Sequence, residues 1–432
     1  MSIKRGQNVF KTILQIFLKE FNRIFTVEAI VSILVSGALL YFFYYPIPYD
    51  NEEVRNAPAV VVDLDNSTLS RDILRKLNAT DRIEIVSHVH TMDEAEHMMR
   101  NREVYGIFYI APGFEQNILS GRSGGFSFYG DASYVIIYSR MMTAVQSVVK
   151  TMSRSIGAAK QVQMGVDPAI AFGNSTPITP VVVPLYNPQN GYATYVIPPV
   201  YVLIVFQCLF LALVISLILG RNSDFDKGLI APQKASPFVV AFMTLAGKWL
   251  AYFMVSIVIF ICYMGITPIF YELPFHGSLP RLMLFGLLFL SATIFMSTFI
   301  GLFFRKFDSV FLIILPSSML IFFLSGMSWP TEMIPWGLRI FTYLMPVFPA
   351  ITSMITINQM GGGFSNIIPE LILLVIQLGV YGLLALFMMT RYYRRLQKGL
   401  IVEQSVTSPV TASPVAASQE EGGEIGDGYS RF

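Results

Sequence analysis

Long apolar stretches alternate with polar segments along this chain, and six of the stretches have the length of a membrane-spanning helix. A helix needs about 20 mostly apolar residues to cross the roughly 30 Å of hydrocarbon in a bilayer. The stretches cover residues 27–45, 196–219, 245–266, 282–304, 309–329 and 371–390. The pattern predicts a polytopic α-helical membrane protein with six transmembrane helices, the first at 26–45 and the other five within 192–398.

The polar segment between the first and second stretches, residues 46–191, predicts a separate α/β domain. Runs typical of buried strands lie at 59–63, 83–86 and 105–110, and helical patterns lie at 70–78, 92–102, 114–119 and from 133 onward. We expect Ser70 to be the N-cap of the first of these helices. Strands that alternate with helices are typical of a small α/β fold.

Residues 1–25 have the pattern of an amphipathic helix that lies in the membrane interface. Apolar side chains recur at helical spacing in one stripe, and polar side chains lie largely off that stripe. The stripe comprises Val9, Phe10, Ile13, Leu14, Phe17, Phe21 and Ile24, and the polar set comprises Lys11, Gln15, Lys19, Glu20 and Arg23. Two interpretations stay open: a simple membrane anchor, or an element that receives the movement of a partner protein.

The distribution of Lys and Arg predicts the orientation in the membrane. With the N-terminus inside, fifteen basic residues lie on the inner side, against Arg281 and Arg339 in the outer loops. The inner set includes Lys248, which we assign to the loop before the third stretch. The positive-inside rule is reliable for short loops, so both termini are predicted to be cytoplasmic and residues 46–191 extracytoplasmic. The Ser-, Ala- and Glu-rich tail 399–432 is predicted to be disordered and cytoplasmic.

Composition excludes several classes of function. Of the residues, 54% are hydrophobic and only 13% charged, about half the charge of a soluble domain. This composition argues against an ordinary cytosolic enzyme, and the net charge of +2 gives no support for binding to nucleic acid. Cys208 and Cys262 lie inside apolar stretches, where thiols behave as small hydrophobes, which excludes a disulfide framework.

The predicted spans contain almost no ionisable residues, which limits how transport could be driven. We place Glu28, Lys248 and Glu370 at the ends of spans, within reach of the interface. Ion-driven transporters hold the coupling ion with intramembrane carboxylates, histidines or broken helices. The chain also has no GxxxxGK[ST] loop of the kind that binds ATP. We therefore expect a separate ATPase subunit to supply the energy, and we expect no cofactor in this chain.

One cluster has residue types that can bind a metal. His88, His90, Asp93, Glu94, Glu96 and His97 fall within ten residues. No recognised zinc spacing is present, and a strand end followed by a solvated helix face is the preferred interpretation. We predict no catalytic and no metal-binding residue.

Four sequence blocks resemble the permease subunits of type-2 ABC exporters. The first is VVVDLDNS at 60–67, followed by LSR at 69–71. The second is GI at 106–107 and IAPGF at 110–114, followed by GDAS at 130–133. The third is YNP at 186–188 with YVIP at 195–198, and the fourth is LSG at 324–326 with Pro330, EMIP at 332–335, Pro346 and Gly361. The long segment after the first span resembles the multidrug-type branch of this family.

The resemblance implies an assembly in the bacterial inner membrane. Two six-span permease subunits would pair, as a homodimer or a heterodimer, and each would contact a cytoplasmic ABC ATPase subunit. A periplasmic adaptor protein is a further expected partner. The expected function is export of hydrophobic or amphipathic compounds from the cytoplasm or the inner leaflet.

The resemblance also implies two functional regions. The N-terminal helix and the loop after the second span would contact the ATPase through Lys19, Glu20, Asp224, Asp226, Lys227 and Gly228. In the family, this loop usually carries an E-x-x-G-T run, of which the present sequence keeps only the glycine. The segment 329–346 would fold as a re-entrant helix pair that forms an outer gate, with the candidate residues Leu324, Ser325, Gly326, Pro330, Pro335 and Pro346.

Two alternatives to multidrug-type export stay open at this point. The cargo could be a lipid or a precursor of the cell envelope. The chain could also be a membrane sensor or scaffold whose external domain binds a ligand, although five further spans exceed what a sensor needs. An intramembrane hydrolase is disfavoured, because the predicted spans carry no HExxH motif, no paired carboxylates and no Ser/Lys motif.

Overall fold

The structure is a computed structural model that describes residues 2–49, 53–175, 185–187, 191–221, 223–230 and 236–407. Its helices, in chain order, are α1 (Ser2–Thr26), α2 (Glu28–Ile30), α3 (Ala38–Tyr44), α4 (Thr68–Asn78), α5 (Met92–Arg100), α6 (Phe114–Leu119), α7 (Val135–Gln163), α8 (Pro168–Asn174), α9 (Tyr192–Gly220), α10 (Asp224–Ile230), α11 (Pro237–Ile261), α12 (Thr267–Phe270), α13 (Leu279–Gly301), α14 (Phe307–Leu324), α15 (Trp336–Thr342), α16 (Val347–Asn358) and α17 (Ile368–Thr407). The π-helical segments Val31–Gly37 and Cys262–Ile266 join α2 to α3 and α11 to α12. The predicted disordered tail lies outside the described residues from 408 onward.

Among the described residues, six helices are long and apolar enough to cross a membrane, or seven if the bent pair Trp336–Thr342 and Val347–Asn358 is one span. This finding confirms the predicted polytopic helical architecture. In chain order these spans are Glu28–Tyr49, Tyr192–Gly220, Pro237–Phe270, Pro280–Gly301, Phe307–Leu324 and Ile368–Gly399. Several boundaries differ from the prediction, and two differences are large. The third span begins at residue 237 instead of 245, and the helix of the sixth span continues to residue 407, into the segment that was predicted to be disordered.

The second span, α9, lies at the centre of the helix bundle. Most of its side chains are buried, including those of Tyr201, Leu209 and Leu213. A helix that is apolar on all sides has no solvated face, so it is stable only where neighbours or lipid surround it. Here α13, α16 and the first span pack against α9.

Tyr201 of the second span and Tyr271, which directly follows the third span, bind free carbonyl groups near the end of the first span. The last carbonyls of a helix have no intrahelical partner, and leaving them unpaired in hydrocarbon is unfavourable. The hydroxyl of Tyr201 donates to the Phe42 carbonyl at 3.3 Å, and that of Tyr271 donates to the Phe43 carbonyl at 2.8 Å. These bonds hold the first span against its neighbours at the end next to the α/β domain.

Residues 57–163 form a small sheet covered by helices. The sheet consists of β1 (Ala57–Asp63), β2 (Ile83–Val89), β3 (Gly106–Ile110) and β4 (Phe126–Gly130) in the order β2-β1-β3-β4. Strand β1 pairs in parallel with β2 and β3, and β4 pairs antiparallel with β3.

The central strand β1 is buried on both faces, as its continuous apolar sequence indicates. Val61 packs with Phe108 and with Met141 of α7 on one face, in a core that also includes α4. Val60 packs on the other face, in a core with Ala95 of α5. The three predicted strands are present, and β4 and α8 are additional elements that the sequence did not predict.

The turn after β1 corrects the predicted helix cap. Ser67 is the N-cap of α4, and its hydroxyl accepts the Ser70 backbone N–H at 3.0 Å. The hydroxyl of Ser70 is instead buried and donates to the Asp63 carboxylate at 2.7 Å. The Asp65 carboxylate accepts the backbone N–H groups of Phe114 and Glu115 at 3.0 and 3.1 Å. The first family-like block is thus a structural bracket that joins the end of β1 to α4 and α6.

We expect Asp65→Ala to loosen this bracket. Loss of a side chain that binds free N–H groups at the start of a helix lowers stability by about 1 kcal/mol. This loss corresponds to roughly fivefold faster hydrogen exchange of the backbone amides of residues 114 and 115. Exchange of these amides in the full-length chain measures the effect, with Asp81→Ala, an exposed carboxylate, as the control. A bond from Ser67 and bonds from backbone amides lower the pKa of Asp65. The contribution of Asp65 to the stability of the folded domain is therefore present at pH values above the usual carboxyl pKa, and it is lost as the pH falls through the lowered pKa. Equal exchange in both variants at neutral pH would contradict this role.

Candidate functional site

The two features predicted to meet an ATPase contact each other in the structure. Lys19 on α1 lies over the ring of Phe225 on α10, with Nζ 3.7 Å from the ring centroid. A cation over an aromatic face is attracted by the ring quadrupole. The N-terminal helix and the short helix after the second span therefore form one joint surface, although they are far apart in sequence.

Behind this surface lies a buried ionic cluster, which we define as Glu20, Arg23, Ser216 and Lys248. The Lys248 ammonium is 2.8 Å from Oε2 of Glu20, and Arg23 is 3.0 Å from Oε1. Ser216 of α9 donates to Glu20 at 2.8 Å and accepts from Lys248 at 3.2 Å. Glu20 and Lys248 are only 4% and 5% exposed. The cluster thus connects α1 to the second and third spans.

The cluster overturns two assignments made from the sequence. Glu20 was assigned to the polar side of the amphipathic helix, but it lies at the centre of the buried face, between Ile16 and Ile24. Lys248 was assigned to a loop and a span end, but it lies eleven residues inside the helix that begins at Pro237, about 16 Å along its axis. Both assignments failed for the same reason: each charge is buried because the other compensates it.

The charges of the site shift the pKa values of its ionisable groups in different directions. Burial alone would raise the pKa of Glu20, but the adjacent Lys248 and Arg23 outweigh burial and lower it. Burial raises the pKa of Asp226 despite the nearby Lys248 and Lys19. Burial, together with Arg23, lowers the pKa of Lys19. Glu20 is therefore held as a carboxylate inside the protein.

A close helix contact places α1 on the third span. A Cβ atom at Gly247 of α11 would lie 2.6 Å from Cγ2 of Ile16 and 3.1 Å from the Ile13 carbonyl oxygen. Distances this short show that only glycine fits between the two helices. Nearby, Arg221 after α9 donates to the Leu302 carbonyl at 2.8 Å, which ties the end of the second span to the end of the fourth.

The other predicted ATPase contacts lie at the surface of the same region. Asp224 and Gly228 are exposed, Lys227 is half-buried, and no atom lies within 4 Å of a Cβ built at Gly228. Asp226 points toward a small cavity of about 30 Å³ that Glu20, Lys248 and Tyr393 also line. The structure thus brings Lys19, Glu20 and Asp226 together and leaves Asp224, Lys227 and Gly228 open on α10.

The segment predicted as an outer gate begins at a tight turn after α14. Leu324 and Ser325 are buried, and Gly326 has a φ of 86°, a conformation that glycine adopts readily. Pro330 and Pro335 are exposed in the following loop, and Pro346 is buried where α16 begins. Helices α15 and α16 form a pair bent by 81°. The bent pair extends to Asn358, twelve residues beyond the predicted segment 329–346.

Hydrogen bonds to the second and sixth spans hold this bent pair and the turn before it in place. The hydroxyl of Tyr195 donates to the Met327 carbonyl, and the Gln359 amide donates to the Thr194 carbonyl at 2.7 Å. From α17, Gln377 donates to the Tyr343 carbonyl at 2.9 Å. The bonds to Met327 and Tyr343 satisfy carbonyls of the non-helical turns, as a low-dielectric environment requires.

The metal-capable residues do not converge. Within the described ranges, no three His, Cys, Asp or Glu side chains are placed so that they could share a metal ion. His97 instead lies within 3.2 Å of the Asn101 amide, and Glu96 pairs with Arg100 at 3.1 Å. These contacts are those of a solvated helix face.

The partners of Glu20 were not found from the sequence, although one signal was available. Lys248 is the only charged residue between residues 238 and 266, and a lone charge in an apolar stretch requires a compensating group. Ser216 carries no such signal, because serines are common in membrane helices.

Comparison with protein families finds a match over residues 28–387 with the family described as ABC-2 family transporter protein. The matched range includes the α/β domain and the described spans up to the middle of α17, and it begins just after α1. A search of curated proteins finds no matching relative.

Proposed function

Because this chain belongs to the ABC-2 transporter family, we propose that it is the membrane-spanning permease subunit of an ATP-driven exporter. It spans the membrane several times, and its family is one of transporter membrane components. In this proposal a separate ABC ATPase subunit binds and hydrolyses the nucleotide. The permease converts the movement of that subunit into movement of its spans.

In the proposed orientation, α1 and α10 face the cytoplasm and the α/β domain lies outside, with both termini in the cytoplasm of a bacterial cell and the spans in the inner membrane. The positive-inside distribution of Lys and Arg supports this orientation. The α/β domain and the α1–α10 surface adjoin opposite ends of the first span, because Thr26 at the end of α1 precedes the span and the α/β domain follows its last residue, Tyr49. Because the first span would cross the membrane once between them, the α1–α10 surface and the α/β domain would lie on opposite sides of the membrane.

The observation that carries the proposal is the buried ionic cluster. A helix that only anchors the protein to the membrane surface has no need of a buried ion pair. A charge-assisted pair is strong and directional in a low-dielectric environment. Through Glu20 and Lys248, a displacement of α1 is transmitted to the third span, and through Ser216 to the second. This favours the coupling interpretation of α1 over the simple anchor.

We propose that the cargo is hydrophobic or amphipathic and that a second permease subunit completes the pathway. The large α/β domain after the first span supports the multidrug-type assignment and offers a surface for a periplasmic adaptor protein. Export of a lipid or cell-envelope precursor is compatible with the same apolar bundle. Transport of either cargo would use the same α1–α10 surface as the contact with the ATPase.

We expect the α1–α10 surface to contact the ATPase subunit, and removal of charges from α10 should weaken that contact. We expect the triple variant Asp224→Ala, Asp226→Ala, Lys227→Ala to lower the yield of the ABC ATPase subunit that co-purifies with the wild-type chain by about tenfold, because two or three charged contacts at an interface are together worth about that factor. The amount of variant in the membrane fraction should stay unchanged. Quantitative immunoblotting of the eluate measures the yield.

A matched triple variant tests whether position decides the result. Asp81→Ala, Asp93→Ala and Lys150→Ala remove the same charges from exposed positions of the α/β domain. This variant should retain the ATPase at the wild-type level. Equal yields from both triple variants would place the ATPase contact away from α10.

A further inference from the structure

A cavity of about 450 Å³ lies beside the bent helix pair, at the opposite end of the bundle from the ionic cluster. Its walls come from the end of α14, from α15, from the start of α16 and from the first turns of α17. Its volume falls in the range of small-molecule sites.

The walls of this cavity combine apolar and charged groups. Phe348, Tyr343 and Ile376 supply apolar and aromatic surface, and the charged residues are Glu332, Arg339 and Glu370. Two acidic side chains and one guanidinium line the cavity, so acidic groups outnumber basic groups there. Such a lining suits a molecule with an apolar body and a single positive charge.

An acceptor atom in the lining of this cavity, and a second acceptor one helical stretch further along α17, have no donor among the described residues. Oε2 of Glu370 is buried and accepts no hydrogen bond. Oε1 of Gln377, on a residue that is 4% exposed, also accepts none. The two residues are seven positions apart on α17 and therefore lie on the same face of the helix. Buried acceptors without donors are uncommon in native proteins, and each calls for an explanation such as an absent ligand.

We propose that this cavity binds an amphipathic ammonium compound, with the ammonium group at Oε2 of Glu370 and the apolar body against Tyr343 and Phe348. The N–H donors of such a ligand satisfy the carboxylate oxygen that the protein leaves unpaired. Aromatic side chains also attract a cation directly. This inference rests on the proposed export function and names amphipathic cations as its cargo class.

The neighbouring charges explain why Glu370 is the anchoring group. The exposed Glu332 accepts a hydrogen bond from Thr331 and lies near Arg339, and its own backbone N–H, Thr331 and Arg339 all lower its pKa. Glu332 and Arg339 therefore offset each other, and Glu370 has no ion-pair partner among the described residues. An anionic ligand would place its charge against the unpaired carboxylate.

Two matched fluorescent probes test the proposal on the purified full-length permease in nanodiscs. Dansylcadaverine carries a primary ammonium, and dansyl-aminohexanoic acid carries a carboxylate on a similar body. We expect the wild-type permease to bind the ammonium probe, and Glu370→Gln to weaken that binding about tenfold, as loss of a hydrogen-bonded charge contact does. Arg339→Gln should tighten the same binding by roughly threefold, because it removes a like charge from the lining. Fluorescence titration against empty nanodiscs measures both effects.

The gain in affinity expected for Arg339→Gln cannot arise from misfolding. Glu103→Gln in the α/β domain is the control for replacing a glutamate by glutamine, and it should leave the affinity for the ammonium probe unchanged. The proposal is overturned if the two probes bind equally well, or if Glu370→Gln leaves the affinity for the ammonium probe unchanged. These titrations need neither nucleotide nor ATPase. If cations fail to bind while ATP-driven export of other compounds persists, only this site is refuted. If cations bind but no ATPase associates, the site stands and the exporter assignment falls.

Discussion

Replacing Glu20 by alanine is expected to destabilise the protein by about 3 kcal/mol, since removal of one partner from a buried ion pair leaves the other charge uncompensated. Among the described residues, Lys248 would keep the Ser216 hydroxyl as its hydrogen-bond partner and Asp226 as the nearby carboxyl group, in a site that is almost closed to solvent. The expected result is a fall of several degrees in the melting temperature of the purified permease in detergent. Intrinsic fluorescence during a thermal ramp measures it.

Variants of the partner residue separate charge from packing. Lys248→Met should lower the stability of the protein less than Glu20→Ala does, because Glu20 keeps its ion pair with Arg23 at 3.0 Å. The double variant Glu20→Met, Lys248→Met should recover part of the loss, because no unpaired charge of that pair stays buried. A double variant less stable than Glu20→Ala would contradict this account of the cluster.

The lowered pKa of Glu20 also sets the direction of its pH dependence. A carboxyl group whose pKa is lower in the folded state stabilises the protein at pH values above the unfolded pKa. That contribution is lost as the pH falls through the lowered folded pKa. The stability difference between wild type and Glu20→Gln should therefore be largest near neutral pH and should shrink in acid.

Gly247→Val is expected to separate α1 from the third span and to uncouple ATP hydrolysis from transport. The added side chain would overlap Ile16 and the Ile13 carbonyl, and overpacking of this kind costs about 1–3 kcal/mol. If α1 transmits movement through this contact, the ATPase should still bind and hydrolyse ATP, but transport per ATP should fall by about tenfold or more. Parallel assays of phosphate release and dye transport in proteoliposomes measure the ratio.

Gly379→Val provides the matched control for this variant. Gly379 also lies inside a membrane-spanning helix, but no atom lies within 4 Å of a Cβ built there. It should keep the wild-type ratio of transport to hydrolysis. If Gly247→Val keeps that ratio as well, α1 does not carry the coupling movement through this contact.

The sequence predicts the spans well, because hydrocarbon thickness imposes a length and a composition that are visible in one dimension. It also predicts the central strand of the α/β domain, since a strand buried on both faces is a continuous apolar run such as 59–62. The edge strand β4 was missed. Its sequence, FSFYG at 126–130, alternates only weakly, and its pairing with β3 depends on tertiary context.

The ionic cluster was missed for a different reason. A pattern of polar and apolar positions assigns Glu20 to the polar face of α1, and only the position of Lys248 on a distant helix reverses that assignment. The N-cap of α4 illustrates the same limit at short range. Ser67 and Ser70 are both suitable capping residues, and the bond from Ser70 to Asp63 decides between them.

The central claim is that movement imported from a bound ATPase drives cargo through this permease. The most direct measurement follows the accumulation of an amphipathic fluorescent dye in proteoliposomes that contain the purified permease, with or without its ATPase subunit. The account predicts accumulation only when the ATPase and Mg-ATP are both present. Accumulation by the permease alone, on a proton or sodium gradient without nucleotide, would contradict it.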